Sequence, residues 1–440
     1  VIPVTPALHS IEWNGILVER DRLVDLQEIY LRKLAELRDQ LRADLGDPNF
    51  NFRSYSQVRT VLFDKLGLTP VKTTDGRPWE AAMSSPDAEQ ANPSTDAETL
   101  DILASESPIA AAISNARHVD QILKNFLRPP DFVDGKPAYT SGLIGYIDAD
   151  GRIRTHLSQC LETGRYSSFE PNLQNLGKTA ETRLSEIVGG DVPTIRSCFI
   201  APPGYHLIEA DYRMAEVIVL AHLSRDTDLL KDSEVDLHSR NAVDLIGAQC
   251  TYDEVKEKYP HLRVAAKAVL FGTFYSRGAN ALARSLMRLG IPCTKNQAQE
   301  YIDNFFRKYQ KVAAFMDNCR RSVIDPGYLE NPFGRRRRFY AKDVNDREAV
   351  AAMEREACNF PIQSTVADML SIALRRLHGS LKGLPARIIL AIHDAILLEC
   401  KDEYLDEVKE LVERAMKVRV PTYDFTLDVE VMTYKRWGGE

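Results

Sequence analysis

The sequence lacks paired cysteines, long apolar runs and a strong charge imbalance, and each lack bears on the class of protein. Seven cysteines are scattered singly over 440 residues, which argues against a disulfide framework or a zinc site and fits a reducing compartment. No apolar run approaches the roughly 20 residues that a membrane-spanning helix needs. The formal net charge of −7 and pI of 5.8 count mildly against a polyanionic partner. Local charge decides that question, and it is uneven.

The chain has enough apolar material for a sizeable core. Its hydrophobic content is 44%, and its length suggests two or three domains. No secretory n-region or h-region is evident at the start, and the sequence begins at Val1 rather than at Met. We therefore expect a fragment whose upstream portion is missing.

The first 150 or so residues have the pattern of a helical unit. Apolar residues recur three or four positions apart from Asp21 to Leu45, which predicts a long amphipathic helix that ends at Gly46. Residues 70–98 are rich in Pro, Ser, Asp and Thr and are predicted to be loop or linker. A second helix is predicted over residues 108–127.

After Gly151 the pattern becomes mixed, with both helices and strands. "HLIEAD" predicts a strand that leads into a helix over residues 214–223, and residues 228–325 are predominantly helical with a break near Gly290. "ARIILAIHDAILLEC" predicts two strands that turn at His393 and Asp394. A helix over residues 403–418 and a strand with alternating apolar residues from Phe425 to Val431 follow. The fold class is thus α/β (α+β).

Two carboxylates stand at the ends of predicted strands. Asp211 ends one strand, and Asp394 lies at the turn between two others. If those strands are neighbours, the two carboxylates converge, and two hard oxygen ligands with room for water and phosphate oxygens suit Mg²⁺. The alternative is that each Asp only forms a turn or caps a helix.

Three further stretches have spacings that fit a nucleotide or a nucleic acid. Arg263, Lys267, Phe271 and Tyr275 fall four apart in "RVAAKAVLFGTFYSRG", so cations and rings share one stripe of a helix. Four consecutive arginines in "NPFGRRRRF" could grip a phosphate backbone. Polar side chains again fall four apart at Arg355, Asn359 and Gln363. The alternatives are solvated charges and rings that face the core.

Taken in order, these stretches resemble the polymerase core of family A DNA polymerases, the bacterial polymerase I type. "TGRYSSFEPNLQN" is similar to that family's TGRLSS…PNLQN signature, "EADYRMAEVIVLAHLS" to its motif A, and "RVAAKAVLFGTFY" to its motif B. "NPFGRRR", "NFPIQSTVAD" and "AIHDAILLE" resemble further segments, the last of which is motif C. "IEWNGILVERDRL" and "NPSTDAETLDILA" are similar to segments around the thumb. The resemblance covers nearly the whole chain.

The resemblance implies a right-hand fold with an antiparallel-sheet palm, helical fingers and a helical thumb. Its boundaries would be a connection at the palm edge over residues 1–18, thumb 19–155, palm 156–230, fingers 231–330 and palm again 331–440. The implied activity is template-directed addition of dNTPs to a primer 3′-OH with release of pyrophosphate. Two Mg²⁺ ions, for which Mn²⁺ can substitute, would be the cofactors. A 3′–5′ exonuclease domain is not recognisable, so we expect synthesis without proofreading.

The resemblance also assigns roles to residues one by one. The catalytic metal ligands would be Asp211 and Asp394, with the backbone carbonyl of Tyr212. Residues that match nucleotide contacts are Arg263, Lys267, Phe271, Tyr275, His238 and Glu216, of which Glu216 would block a ribose 2′-OH. Residues that match contacts with primer and template are Arg165, Asn172, Asn175, Lys124, Arg336, Arg355, Asn359, Gln363 and His393.

The sequence departs from the family pattern at several of these motifs. Motif A usually reads DYSQIELR but here reads "DYRMAEVI", so Ala215 removes bulk beside Glu216. Ser276 stands where a glycine follows the fingers tyrosine, which could stiffen that hinge. Ala395 stands where motif C has a glutamate. The link "NLGKTAETRLSEIVGGDVPTIRSCF" is longer than usual and lacks the family's proline.

These departures leave alternatives open. A catalytically impaired DNA-binding relative would keep affinity for primer–template without Mg²⁺-dependent extension. A single-subunit RNA polymerase shares the carboxylates and the fingers helix, although Glu216 and "PNLQN" favour DNA synthesis. A two-metal nuclease is disfavoured because no third or fourth clustered acid is evident. We expect primer–template DNA and dNTPs as partners, with other replication proteins allowed, no membrane association, a monomer, and a cytoplasmic location in a bacterial or virus-infected cell, with an organelle not excluded.

Overall fold

The computed structural model describes residues 2–439 apart from 129–131, 134–135, 138–141, 177–182, 184, 190–191, 245, 247–249 and 341–345. Its first part is a helical unit, residues 20–127, which we call the N-terminal helical unit. The helices there and just before it are α1 (Thr5–Asn14), α2 (Arg20–Leu45), α3 (Tyr55–Arg59), α4 (Trp79–Met83), α5 (Ala97–Leu103) and α6 (Pro108–Ile122). One π-helical segment, Thr60–Lys65, follows α3, and another, Leu123–Leu127, continues α6.

The long helix α2 forms because its apolar residues make one stripe. Leu23, Leu26, Tyr30 and Leu41 are buried along it, as a helical period requires. Gly46 ends the helix in the left-handed conformation, with φ of 61°, which confirms the predicted cap. The helix α6 packs beside α2, and their inward residues form the core of the unit.

A second helical region comprises residues 227–321. In the sequence it separates the first strand of the four-stranded sheet described below from the other three strands. We call it the helical insert. After α7 (Ala215–Ser224), it contains α8 (Thr227–Ser233), α9 (Leu237–Asp244), α10 (Tyr252–Lys258), α11 (Pro260–Phe274), α12 (Ala279–Arg288), α13 (Lys295–Lys308) and α14 (Gln310–Arg321). The break predicted near Gly290 is confirmed, since α12 ends at Arg288 and α13 begins after a Thr294 cap.

The centre of the molecule is a four-stranded antiparallel sheet, the central sheet. Its order is β10 (Ala386–Ile392), β11 (Ala395–Lys401), β7 (Tyr205–Tyr212) and β12 (Val429–Tyr434). One face packs against the helical insert, α15 (Arg347–Ser380) and α16 (Leu405–Met416), and the other packs against the base of the N-terminal helical unit. Both faces are covered, which explains the nearly unbroken apolar sequences of β10 and β11.

Short two-stranded ladders surround this sheet. They are β1 (Ile16–Leu17) with β4 (Arg152–Ile153), β2 (Phe132–Val133) with β3 (Lys136–Pro137), β5 (His156–Ser158) with β6 (Ser167–Phe169), and β8 (Tyr328–Glu330) with β9 (Arg336–Arg338). All of them are antiparallel. None of the helices in the described part of the chain is long and apolar enough to cross a membrane.

Two sequence predictions differ from the structure. Residues 70–98 contain α4 and a 3-10 turn at Ala88–Gln90 rather than loop alone, because their apolar residues are too few to show a helical period. The last strand begins only at Val429, although alternation was visible from Phe425. Phe425 and Leu427 are buried outside any strand, so the same apolar spacing arises without sheet pairing.

Candidate functional site

Two neighbouring strands bring the predicted carboxylates to one edge of the central sheet. Strands β10 and β11 are joined by a two-residue turn at His393 and Asp394, in which His393 has a φ of 50°. On the other side of β11, Ala395 lies opposite Asp211 of β7. Asp394 therefore stands one residue from the cross-strand partner of Asp211. The hypothesis that the two strands are adjacent is confirmed.

A cavity of about 380 Å³ opens at this edge. It combines the end of β7, the start of α7, the β10–β11 turn and the helix α11. Its lining residues are Arg165, Asp211, Tyr212, Met214, Ala215, Glu216, Val217, His238, Phe271, Tyr275, His393 and Asp394. Most of them were singled out in the sequence, although they come from five separate segments.

One arginine connects two acids across this cavity. Arg165 donates to Glu216 at 2.5 Å and to Asp394 at 3.5 Å. Glu216 also accepts a hydrogen bond of 2.5 Å from the Tyr275 hydroxyl, and the Gln363 side chain is bonded to that same hydroxyl. Burial and the bond to Glu216 raise the pKa of Tyr275. The network ties the sheet edge to the last turn of α11, and sequence spacing gave no sign of it.

Asp394 remains an incompletely compensated carboxylate. Burial raises its pKa, the positive charge of Arg165 lowers it in part, and the negative charge of Glu216 raises it again. A buried carboxylate in this state is stabilised when a cation approaches. The surroundings of Asp394 are thus suited to a positively charged ligand.

The residues present fit Mg²⁺. Among the described residues, no group of three or more His, Cys, Asp or Glu side chains could hold a metal, so the protein offers a pair of carboxylates rather than a cage. Mg²⁺ is commonly bound through one or two carboxylates, with water and phosphate oxygens as the other ligands. Asp211, Asp394 and the backbone carbonyl of Tyr212 are the groups that could provide the protein side of such a site.

Two cationic residues, Arg263 and Lys267, precede Phe271 on α11. Lys267 is exposed, whereas Arg263 forms an ion pair of 2.9 Å with Asp236. Burial alone would raise the pKa of Asp236, but hydrogen bonds from Arg263 and Ser239 outweigh it and lower the pKa to about 2. Arg263 is thus already paired with an acid, and only Lys267 presents its charge outward.

His238 faces the same stripe from the helix α9. Its ring lies 6.3 Å from the ring of Phe271, centroid to centroid. Burial, together with the charges of Arg263 and Lys267, lowers the pKa of His238 to about 4. The imidazole is therefore neutral at pH 7, and its buried Nδ1 has no hydrogen-bond partner among the described residues.

The structure gives a physical meaning to two departures from the family pattern. Ser276 has a φ of 51°, a left-handed conformation that favours glycine, so this serine carries backbone strain directly after Tyr275. Asp211 has two cross-strand partners, Ala395 of β11 and Glu430 of β12. Because one partner is alanine, only the partner on β12 is a carboxylate. The sequence motifs did not single out Glu430.

A second cavity, of about 370 Å³, lies at the base of the N-terminal helical unit. Lys124, Asn172 and Asn175 line it together with Arg128 and Glu170. Lys124 forms an ion pair of 2.7 Å with Asp120. The side-chain oxygen of Asn172 accepts backbone hydrogen bonds from residues 174 and 175, so part of its polar capacity maintains the local turn.

Gln174 is a positioning residue that the sequence motifs did not single out. Its side-chain amide donates a hydrogen bond of 3.1 Å to the carbonyl of Ala391, two residues before the turn that carries His393. Gln174 is also nearly buried. It therefore connects the "PNLQN" segment to the hairpin of Asp394.

The arginine run forms a paired hairpin rather than a free loop. Arg335 binds Asp368 with contacts from 2.6 Å, and Arg336 binds Glu330 at 2.7 Å. Arg337 forms ion pairs with Glu162 and Glu356. The glycine of "TGR", Gly164, has a φ of 78°, a conformation that favours glycine, and the Arg335 guanidinium packs against it.

The third predicted stripe lies on one long helix. Arg355, Asn359 and Gln363 are all on α15, where Arg355 is exposed and Gln363 reaches Tyr275. Among the described ion pairs, none involves Arg355. The stripe therefore extends from the cavity to the surface.

Comparison with known proteins agrees with this geometry. The DNA polymerase family A profile matches residues 20–439. DNA polymerase I of Caldicellulosiruptor bescii is 32% identical over 444 aligned positions, which cover 99% of this chain and 46% of that protein. DNA polymerase I of Pseudomonas aeruginosa is 31% identical, covering 99% of this chain and 43% of the relative. The chain thus spans about half the length of these curated relatives.

A solved structure also superimposes over nearly the whole chain. It is the polymerase domain of Pol1 from M. smegmatis in complex with a DNA primer–template and dNTP, with a TM-score of 0.81 and 28% identity. The match covers 99% of this chain and 70% of that one. This likeness confirms the expected right-hand fold with an antiparallel-sheet palm. The chain belongs to DNA polymerase family A.

Proposed function

We propose that this chain is the polymerase core of a DNA-directed DNA polymerase, which adds dNTPs to a primer 3′-OH as a template directs and releases pyrophosphate. The observation that carries the proposal is the 380 Å³ cavity, which brings Asp211, Asp394, Glu216, His238, Phe271 and Tyr275 together. Residues of motifs A, B and C meet there although they are far apart in the sequence.

In this proposal the domain boundaries follow the family. The thumb is residues 19–155, the fingers are 231–330, and the palm is 156–230 with 331–440, preceded by a connection over 1–18. The N-terminal helical unit and the helical insert support the thumb and the fingers respectively, and the central sheet supports the palm. A monomer and a cytoplasmic location remain predictions.

The proposed two-metal chemistry uses the carboxylates at the sheet edge. Asp211, Asp394 and the Tyr212 carbonyl would hold Mg²⁺, which when bound supplies activation of the primer 3′-OH and neutralisation of charge on the pyrophosphate leaving group. Lys267 and, after it leaves Asp236, Arg263 would hold the triphosphate through charge-assisted hydrogen bonds. Phe271 and Tyr275 would pack against the nascent base pair.

Sugar discrimination is proposed to rest on Glu216. The carboxylate is fixed by Arg165 and Tyr275, so it can occupy the space of a 2′-OH without moving. His393 and Arg165 would lie beside the primer end, and Lys124, Asn172 and Asn175 beside the duplex. Arg336, Arg355, Asn359 and Gln363 would contact primer or template.

Primer extension on a defined template tests the proposal. With Mg²⁺ and dNTPs we expect products whose sequence is dictated by the template, and much poorer extension with rNTPs. Tight binding of primer–template without any extension would instead identify a catalytically impaired relative. Equal use of rNTPs would indicate a polymerase of the RNA type, and shortening of the primer 3′ end would contradict the absence of proofreading.

A further inference from the structure

Two surfaces on separate helical regions meet through charge. Helix α5 of the N-terminal helical unit presents Glu98 and Asp101, and α12 of the helical insert presents Arg284 and Arg288. Arg284 contacts Glu98 at 3.1 Å, and Arg288 contacts Asp101 at 2.7 Å. The acids are three apart and the arginines four apart, so each pair occupies one face of its helix.

Besides Arg288, Asp101 has two further partners, Arg183 and Ser114. Arg183, in the link that is longer than the family's usual one, binds Asp101 at 2.8 Å and donates to Ser114 at 2.8 Å. Ser114 in turn donates to Asp101 at 2.6 Å. Only 6% of the Asp101 side chain is exposed, and its pKa is lowered because Arg183, Ser114 and Arg288 outweigh the effect of burial.

This contact differs in kind from the others that hold the N-terminal helical unit. The base of that unit joins the central sheet through a shared apolar cluster that includes Leu26, Phe126 and Leu207. In the described part of the chain, no apolar cluster contains residues of both α5 and α12. An ionic contact without an apolar core is weakened by salt. If it opens, neither acid is left unpaired, because Glu98 also pairs with Lys72 and Asp101 also pairs with Arg183.

The location of the contact gives it a consequence. The N-terminal helical unit helps to line the 370 Å³ cavity that contains Lys124 and Asn172. The helical insert helps to line the 380 Å³ cavity that contains Asp211 and Asp394. Both regions pack against the central sheet, and they also meet at α5 and α12, so these contacts form a closed ring. A primed circular DNA has no end to thread, so it can enter only if this ring opens.

We propose that Glu98 and Asp101 of α5, with Arg284 and Arg288 of α12, form an ionic latch that closes the DNA cleft and must open before primer–template enters. This inference rests on the proposed function, since it takes primer–template as the occupant of the cleft. Arg183 braces the acidic side of the latch through Asp101. DNA-free protein is thus held shut, and opening precedes binding.

Covalent locking of the latch is the direct test. Glu98→Cys and Arg284→Cys, in a background with Cys160→Ser and Cys250→Ser, place a cysteine on each side, because the other five native cysteines are buried. A short bismaleimide linker that contains a disulfide then joins the two helices. A matched control carries Lys33→Cys and Glu36→Cys, an ion pair within α2, joined by the same linker.

We expect the locked protein to bind primed circular DNA at least ten times more slowly than the same protein after the linker is reduced. The α2 control should bind equally fast with the linker intact or reduced. Equal association rates for locked and released protein would overturn the latch. This readout is binding and not extension, so it separates the latch from the proposed activity. A released protein that binds DNA normally but does not extend a primer would contradict the proposed activity and leave the latch standing. If neither the locked nor the released form bound DNA, both proposals would be overturned.

A conservative variant supplies an independent measurement. Glu98→Gln keeps the shape of the side chain and removes no cation that could touch DNA, but it weakens the ion pair of Glu98 with Lys72 as well as the one with Arg284. We expect a several-fold faster association with DNA at low salt, a difference that shrinks as salt is added. Fluorophores on α5 and α12 should also move apart when primer–template is added, and an unchanged distance with DNA bound would contradict the latch.

Discussion

The cavity at the sheet edge and the arginine hairpin β8–β9 are both dense in charge, but they use it differently. In the hairpin, Arg335, Arg336 and Arg337 each face a carboxylate of the protein itself. In the cavity, Asp394 shares one arginine with Glu216 and keeps a raised pKa. A charge that is already paired within the protein has less to gain from a ligand, whereas a charge left incompletely compensated indicates a place for one.

The largest expected effect is at the two acids of the cavity, Asp211 and Asp394. Asp211→Asn should lower the single-turnover rate of nucleotide addition by about 10²–10³-fold or more, because it removes a charge that acts on the reacting phosphate. Binding of primer–template should change little. The comparison variant is Glu330→Gln in the hairpin, which should leave the rate unchanged. A wild-type rate for Asp211→Asn would contradict the assignment of the metal ligands.

The next effect concerns the outward cation on α11. Lys267→Ala should raise the KM for dNTP roughly 10- to 100-fold, since a charge-assisted hydrogen bond contributes about 1.5–3 kcal/mol. Lys258→Ala is the matched control, because Lys258 is an exposed lysine paired with Glu254 at 2.9 Å. Steady-state kinetics at saturating DNA measure both. Equal KM values would remove Lys267 from the nucleotide site.

A smaller effect sharpens the contrast between paired and unpaired arginines. Arg355→Ala should weaken DNA binding more than Arg336→Ala, because Arg336 must first leave Glu330, which offsets any contact it makes with phosphate. We expect DNA affinity to fall about fivefold for Arg355→Ala and less for Arg336→Ala, since one exposed ion pair contributes about 0–1 kcal/mol. Titrations at several salt concentrations measure both losses. The reverse order would show that pairing in the free protein does not predict DNA contacts.

The last effect is a dependence of stability, rather than of activity or binding, on pH. The pKa of His238 is about 4 in the folded protein and near its ordinary value of 6.5 when unfolded. Between these values the unfolded chain binds a proton that the folded protein does not, so the free energy of unfolding falls as the pH is lowered. The free energy of unfolding can be measured with denaturant at pH 7 and at pH 5. Its fall between these pH values should be smaller in His238→Gln than in the wild type, by at most about 1–2 kcal/mol. An identical loss in the variant would contradict the depressed pKa.

Local patterns allowed much of the fold to be predicted from the sequence. The helix α2 with its Gly46 cap and the strands around His393 and Asp394 follow from apolar periodicity and turn residues. Helix α4 was missed because five residues are too short to show a period. The beginning of β12 was misplaced because alternation also occurs in buried irregular chain.

The chemistry of the site could be predicted only in part, because its partners are distant in sequence. Asp211 and Asp394 could be predicted, since one lies at the end of a strand and the other in a turn between two strands, each within a motif. The bond from Arg165 to Asp394 joins residues 229 positions apart, and Arg284 meets Glu98 across 186 positions. No local pattern specifies such pairs. The same limit applies to the arginine run, whose carboxylate partners lie on other elements.

Binding of a divalent cation at Asp394 tests the central claim most directly. Mn²⁺ binding can be measured by electron paramagnetic resonance in a complex with a dideoxy-terminated primer–template and the next dNTP. We predict that Asp394→Asn weakens Mn²⁺ binding at least tenfold, whereas Glu330→Gln in the hairpin leaves it unchanged. Equal Mn²⁺ affinity in wild type and Asp394→Asn would contradict the claim that this carboxylate is kept uncompensated for a metal ion.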